Sequence, residues 1–180
     1  MPWKNGGGET VEIAVSPKGA AVTDFDWRIS MATVATDGPF SVFAGIDRTL
    51  SILEGNGMSL AIDGNAPVLL TQESAPLAFA ADVEVSAALP DGPITDLNVM
   101  TRRDMLRHRV ERLAVTPASS LRLEAQTCLL LCRRAALAVE WEDQRADLEP
   151  GDTILLEGAK GVDVTLHGEA PCFLISISSL

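Results

Sequence analysis

Short runs in which apolar and polar residues alternate, broken by Gly, Pro, Asp and Asn, extend over the whole chain. In Phe25-Asp26-Trp27-Arg28-Ile29-Ser30-Met31, the residues Phe25, Trp27, Ile29 and Met31 fall on one face and Asp26, Arg28 and Ser30 on the other. A period of two is that of an extended strand. Turn signals recur at Asp37-Gly38-Pro39, Glu54-Gly55-Asn56-Gly57, Asp63-Gly64-Asn65, Asp91-Gly92-Pro93, Pro150-Gly151-Asp152 and His167-Gly168. Many short strands punctuated this way predict an all-β sandwich or barrel. One short, charge-rich stretch, 103–113, is expected to form a single turn or a short helix.

The pattern also repeats. Leu60-Ala61-Ile62 resembles Leu137-Ala138-Val139, 77 residues on, and Val83-Glu84-Val85-Ser86 resembles Val162-Asp163-Val164-Thr165, 79 residues on. Two similar β units in one chain would let each close on itself with few exposed edges. The succession of strand, Gly-rich turn, strand, Pro-Gly-Asp and strand, with Leu148-Glu149-Pro150-Gly151-Asp152 in the second half, resembles the small barrel of the cupins. That resemblance implies a bicupin, two jelly-roll β-barrel halves in one chain. Residues 1–113 form the N-terminal half and 114–180 the C-terminal half, within a single compact unit whose halves can exchange strands. The linker is Ala114-Val115-Thr116-Pro117-Ala118-Ser119-Ser120.

Composition narrows the partners. In 180 residues, 25 Asp and Glu outweigh 14 Lys and Arg, a formal net charge of −11. Such a field repels polyanions, so neither nucleic acid nor anionic membrane is an expected partner. The start of the chain lacks the apolar stretch of a secretory signal, and no apolar run reaches the roughly 20 residues that span a bilayer. Three cysteines, Cys128, Cys132 and Cys172, form no Cys-x-x-Cys pair and read as small buried hydrophobes. The expected compartment is the cytoplasm. The two histidines, His108 and His167, stand far apart and outside any His-x-His pair, so the metal-holding pattern of many cupins is unfilled. No metal and no other cofactor is expected.

The first half carries the most specific motifs. They are Met1-Pro2-Trp3-Lys4-Asn5-Gly6-Gly7-Gly8-Glu9-Thr10, Phe25-Asp26-Trp27-Arg28-Ile29-Ser30-Met31, Asp37-Gly38-Pro39-Phe40-Ser41, Gly45-Ile46-Asp47-Arg48-Thr49-Leu50 and Gly92-Pro93-Ile94-Thr95-Asp96-Leu97-Asn98-Val99-Met100. Together, from residue 2 to about residue 103, these closely resemble the HutD/Ves family. The resemblance implies a bicupin fold and association with bacterial histidine utilisation. It also implies a binding or regulatory protein.

Individual residues give the candidate chemistry. Arg28 and Ser30 share a strand face, which points either to solvent, with Arg28 paired to Asp26, or into a barrel lumen as an anion hook. Arg48 has the parity of Leu50 and Ile52 and is expected to point inward. An inward charge needs a partner, either one of Asp26, Asp47 and Asp96 or a ligand carboxylate. Asn98 in an apolar strand is either a brace or a ligand contact, and Arg102 shares its parity. Gly6-Gly7-Gly8 lacks the ending of a phosphate-binding loop and reads as a turn that lets backbone pass close to something.

The leading expectation is a metal-free bicupin that binds a small carboxylate-containing metabolite, formylated or imidazole-derived. Its ligand-binding residues are Asn5, Arg28, Ser30, Arg48, Asn98 and Arg102. A homodimer is the oligomer allowed for. Two alternatives remain: a metal-independent isomerase or hydrolase using carboxylates, since the chain has no Tyr, and a protein-interaction module.

Overall fold

The structure is a computed structural model that describes residues 1, 3, 7–117, 119–169 and 171–180. The described residues form strands and turns and contain no helix. They divide into two compact units, Met1–Arg107 with Leu180, and His108–Ser179. The expected boundary after residue 113 lies at the far end of the strand that opens the second unit.

The first unit holds β1 (Gly8–Ser16), β2 (Trp27–Val34), β3 (Gly38–Pro39), β4 (Ile46–Glu54), β5 (Met58–Ile62), β6 (Val68–Leu70), β7 (Leu77–Ala80), β8 (Val85–Ala88) and β9 (Ile94–Arg102). They make two antiparallel sheets, β1-β2-β9-β4-β7 and β3-β8-β5-β6. One cluster of buried side chains joins the sheets: Val34, Leu50, Ile52 and Ile94 from the larger, and Met58, Leu60, Leu70, Val85 and Ala87 from the smaller. Five of the six predicted turns lie where expected; at Asp37-Gly38-Pro39 the chain instead forms the short strand β3, paired with β8. Gly55 and Gly57 connect β4 to β5 with φ of 89° and 120°, a backbone region that glycine enters without steric cost.

Of the triglycine run, Gly6 lies outside the described residues, and Gly8 makes a close backbone approach. It opens β1 opposite Val34, and a Cβ there would stand 2.1 Å from the Thr33 carbonyl oxygen. Only a residue without a side chain lets the edge strand pair at that depth.

The second unit holds β10 (Leu106–Ala114), β11 (Ser119–Arg122), β12 (Thr127–Cys132), β13 (Leu137–Trp141), β14 (Gln144–Leu148), β15 (Thr153–Glu157), β16 (Asp163–His167) and β17 (Pro171–Ser179). Their sheets are β10-β17-β12-β15 and β11-β16-β13-β14. The strand order is that of the first unit, without its edge strand β1. The two echoes in the sequence fall on equivalent strands: β5 and β13, β8 and β16. The interior is apolar, with Cys128, Leu130, Cys132, Leu137, Val139, Val164, Leu166, Cys172 and Leu174 in one cluster.

Of the single turn or short helix expected over 103–113, only a turn is formed. Residues 103–105 make a turn and β10 follows. From Leu106 to Val110 the even positions are the more buried, a period of two that charge density masks. Among the described residues no helix is long and apolar enough to cross a membrane.

Candidate functional site

The site lies on the interior face of the larger sheet of the first unit. Register fixes who meets whom. On β2 and β9, Arg28 pairs with Met100, Ser30 with Asn98 and Ala32 with Asp96. From the other side of β9, Arg48 of β4 also pairs with Met100, and Leu50 with Asn98. Alternation then turns Arg28, Ser30, Arg48, Asp96 and Asn98 to one side. The opposite face of these strands is buried too, with Ile29, Leu97 and Val99 at 0% exposure. A polar group in this sheet therefore has no solvent face to turn to and must find partners.

All five line a cavity of about 590 Å³, which Trp3, Phe40, Phe43 and Met100 make largely apolar. The polar wall is two hydrogen-bonded networks. In one, Arg48 Nε donates to Asn98 Oδ1 at 2.8 Å, and Asn98 Nδ2 donates to Asp96 Oδ1. In the other, Arg28 Nε donates to Glu12 Oε2 at 2.8 Å and Arg28 Nη1 to Ser30 Oγ at 3.3 Å. Arg48 also lies over the Phe40 ring, 4.7 Å from its centroid, where the negative face of the π system attracts a cation.

The electrostatics follow from burial. Asp96 is 1% exposed. Desolvation pushes its carboxyl up to about 7, against the opposing pull of the Arg48 charge and the hydrogen bonds from Asn98 and the Ala32 backbone. Arg48 is lowered to about 10, first by desolvation and then by the like charge of Arg28, with Asp96 opposing. It stays a cation at neutral pH. Its Nε is engaged by Asn98, while the two Nη nitrogens make no hydrogen bond among the described residues. These are the parallel donors of the guanidinium fork.

Four of the six expected site residues thus converge: Arg28, Ser30, Arg48 and Asn98. Arg102 does not line the cavity. It sits at the end of β9, donating from Nη2 to the Phe25 carbonyl at 3.0 Å, with Asp24 and Asp26 at 3.7 and 3.8 Å. Asn5 lies outside the described residues. Asp26, expected as a partner for Arg28, is taken instead by Arg102, and Glu12 on the bulged edge strand β1 holds Arg28. In the sequence Asp96 reads only as a partner for Arg48. Its spacing of two from Asn98 is the signal that both share one face. Trp3 and Phe40 carry no such signal, because neither lies in a strand.

Among the described residues no group of three or more His, Cys, Asp or Glu is placed to hold a metal ion. His167 pairs with Glu140 at 3.0 Å in the second unit.

Comparison with known proteins places this geometry. The family model described as HutD matches residues 1–174. Protein Ves of Citrobacter koseri is 43% identical over 110 residues, covering 60% of this chain and 56% of that protein. The chain thus spans little more than half the length of that relative. An uncharacterized 21.2 kDa protein in the hutC 3′ region of Pseudomonas putida is 37% identical over 161 residues, 88% of this chain and 82% of that one. The structure of HutD from Pseudomonas fluorescens SBW25, in a formate condition, is similar with a TM-score of 0.82 at 33% identity, covering all of this chain and 93% of that one. A cupin 2 conserved barrel domain protein from Leptotrichia buccalis, at 12% identity and a TM-score of 0.62, shares the fold alone.

Proposed function

The chain belongs to the HutD family, and on that premise we propose that its first unit binds a small carboxylate metabolite as a regulatory step of bacterial histidine utilisation in the cytoplasm. The observation that carries the reading is Arg48. Its guanidinium lines the cavity, Asn98 and Phe40 fix its plane, and among the described residues its two Nη nitrogens make no hydrogen bond. Two parallel charge-assisted hydrogen bonds are what a carboxylate accepts from such a fork. The Trp3, Phe40 and Phe43 rings suit the apolar body of the same molecule. The family resemblance, and a relative named by its place in the hutC 3′ region, support a formylated or imidazole-bearing carboxylate from histidine breakdown.

Calorimetric titration with such carboxylates, and with formate and acetate, tests the assignment. Arg48→Gln removes the fork, and affinity falls by about 30-fold or more, since truncating one member of a buried charge pair costs about 2 kcal/mol upward. Equal affinity in both proteins would remove Arg48 from the role.

A metal-independent isomerase or hydrolase is the second reading. One observation favours it: the Asp96 carboxyl lines the cavity and titrates near neutrality, where a general acid or base works best. Turnover of any of these carboxylates by the purified protein, lost in Asp96→Asn, promotes that reading over the first.

A further inference from the structure

A site built to hold an anion has no evident need of a buried carboxyl group in its wall, yet Asp96 stands there. It lines the cavity beside Asn98 and is almost wholly removed from solvent. Resting on the carboxylate reading of the pocket, we infer that the site takes up its ligand together with a proton, which Asp96 accepts from solvent as the anion docks on Arg48.

The charges around Asp96 carry the argument. From β4 it faces Arg48, and from its own strand the neutral Asn98. From β2 come Arg28, Ser30 and the Ala32 backbone, and from β1 comes Glu12, which is spent on Arg28 at 2.8 Å. Pro39 of β3 and the loop residues Phe40, Ser41 and Phe43 carry no titratable group. The α-amino group of Met1, a residue at the exposed rim of the same cavity, donates to the Thr10 carbonyl oxygen. Inside that rim, among the described residues, Arg28, Arg48 and Asp96 line the pocket and Glu12 pairs with Arg28 behind it, so two cations face two anions and the charges balance.

A docking carboxylate breaks that balance. It takes the charge of Arg48, which had favoured ionised Asp96, and adds a like charge in a poorly screened cavity. Both changes favour protonation of Asp96. One proton from solvent converts the Asp96 carboxylate to the neutral acid and restores neutrality. It also gives the wall an O–H donor where there had been only acceptors. Burial, against the opposing pull of Arg48, Asn98 and the Ala32 backbone, already brings the carboxyl to about 7, so loss of the Arg48 pull to the ligand leaves little further perturbation needed for uptake at neutral pH. The ligand class is thereby narrowed to small monocarboxylates. A dianion would need a second proton or a second cation, and Arg28 is already committed to Glu12.

Linkage gives the readout. Below about pH 6 Asp96 already holds the proton in the empty site and affinity is flat. Above about pH 7 the proton must be acquired, and affinity falls about tenfold per pH unit. Sodium formate is a suitable probe, because its own carboxyl stays ionised throughout this range. Calorimetry at pH 8 in HEPES and in Tris, which differ in ionisation enthalpy, counts the protons. The expected result is about one proton taken up per formate at pH 8 and none at pH 5.5.

In Asp96→Asn the uptake disappears, and affinity stays at its acid-side value from pH 5.5 to 8.5. Circular dichroism shows whether that variant is folded, and the wild-type measurement stands without it. Formate binding with no proton uptake at pH 8 and equal affinity at pH 6 and 8.5 overturns the coupling and leaves the carboxylate site intact. No formate or acetate binding by the wild type at pH 5.5 overturns both.

Discussion

Asp96→Asn should stabilise the protein in the absence of any ligand, and by an amount that grows with pH. The folded state holds the Asp96 carboxyl near 7, against 3.8 for the ordinary group. A carboxyl raised on folding binds its proton more tightly in the native state. Its contribution is therefore intact below the unfolded value and is lost as pH rises through the folded one. Each tenfold tightening of the proton is worth about 1.4 kcal/mol, so the loss runs to roughly 4 kcal/mol between pH 4 and 8. About two thirds of that falls between pH 5 and 8. Asparagine has nearly the same shape, can still accept from Asn98, and does not titrate. Other carboxylates move the opposite way: Asp82 is held low by Arg103, and Glu140 by His167 and Arg145. They are common to both proteins and cancel in the difference. Urea unfolding at pH 5, 6, 7 and 8, followed by tryptophan emission in a Trp141→Phe background so that only Trp3 and Trp27 of the first unit report, measures that difference. The gap in favour of the variant should widen by roughly 2–3 kcal/mol from pH 5 to 8. A gap constant in pH would mean that Asp96 is not a desolvated carboxylate, and the electrostatic account of the pocket would fall with it.

Gly8→Ala places a Cβ 2.1 Å from the Thr33 carbonyl oxygen and forces the edge strand away, a loss of about 1–3 kcal/mol in a urea melt. Phe40→Leu removes the ring under Arg48. A cation–π contact of about 0.5–1 kcal/mol predicts formate binding weakened roughly two- to fivefold, read by calorimetry. Glu12→Gln frees Arg28 from its ion pair and leaves an uncompensated cation in the pocket, so formate binds severalfold tighter, most clearly at low salt. Leu130→Ala empties part of the second unit's core, costing about 2–5 kcal/mol in a melt without changing formate affinity.

Much of this was legible in the residues, and the gaps have physical causes. Alternation in Phe25 to Met31 assigned Arg28 and Ser30 to one face and Trp27 and Ile29 to the other, as the structure has them. It could not say which face was solvent, because in this sheet neither is. A period of two reports sidedness and not depth, so Arg28, 5% exposed, was equally readable as a surface residue. The inward parity of Arg48 was readable for the opposite reason: Leu50 and Ile52 on the same face are unambiguous core. The partner of Arg28 was not readable. Glu12 reaches it from a strand paired across the sheet with a bulge in its register, and no local spacing encodes that. The strand β10 was not readable within 103–113, where a turn or short helix is expected, because its charges hid the alternation of its positions.

The repeated topology explains why the echo surfaced in some strands and not in others. β5 and β8 correspond to β13 and β16, and all four serve only to close a core, with Leu60, Val85 and Ala87 in one unit and Val139, Val164 and Leu166 in the other. Equal packing demands admit similar residues, so these strands still look alike. β2, β4 and β9 correspond to β10, β12 and β17, and here the demands differ. The interior positions of β12 and β17 are Cys128, Leu130, Cys132, Cys172 and Leu174, which need only contact. Those of β2, β4 and β9 include Arg28, Ser30, Arg48, Asp96 and Asn98, each of which costs free energy to bury and must be satisfied by another of the set. A group of mutually dependent polar residues cannot resemble an apolar core strand, and a packed apolar core has no chemistry to offer a ligand. The absence of an echo in these strands therefore falls where one unit carries the candidate site and the other does not.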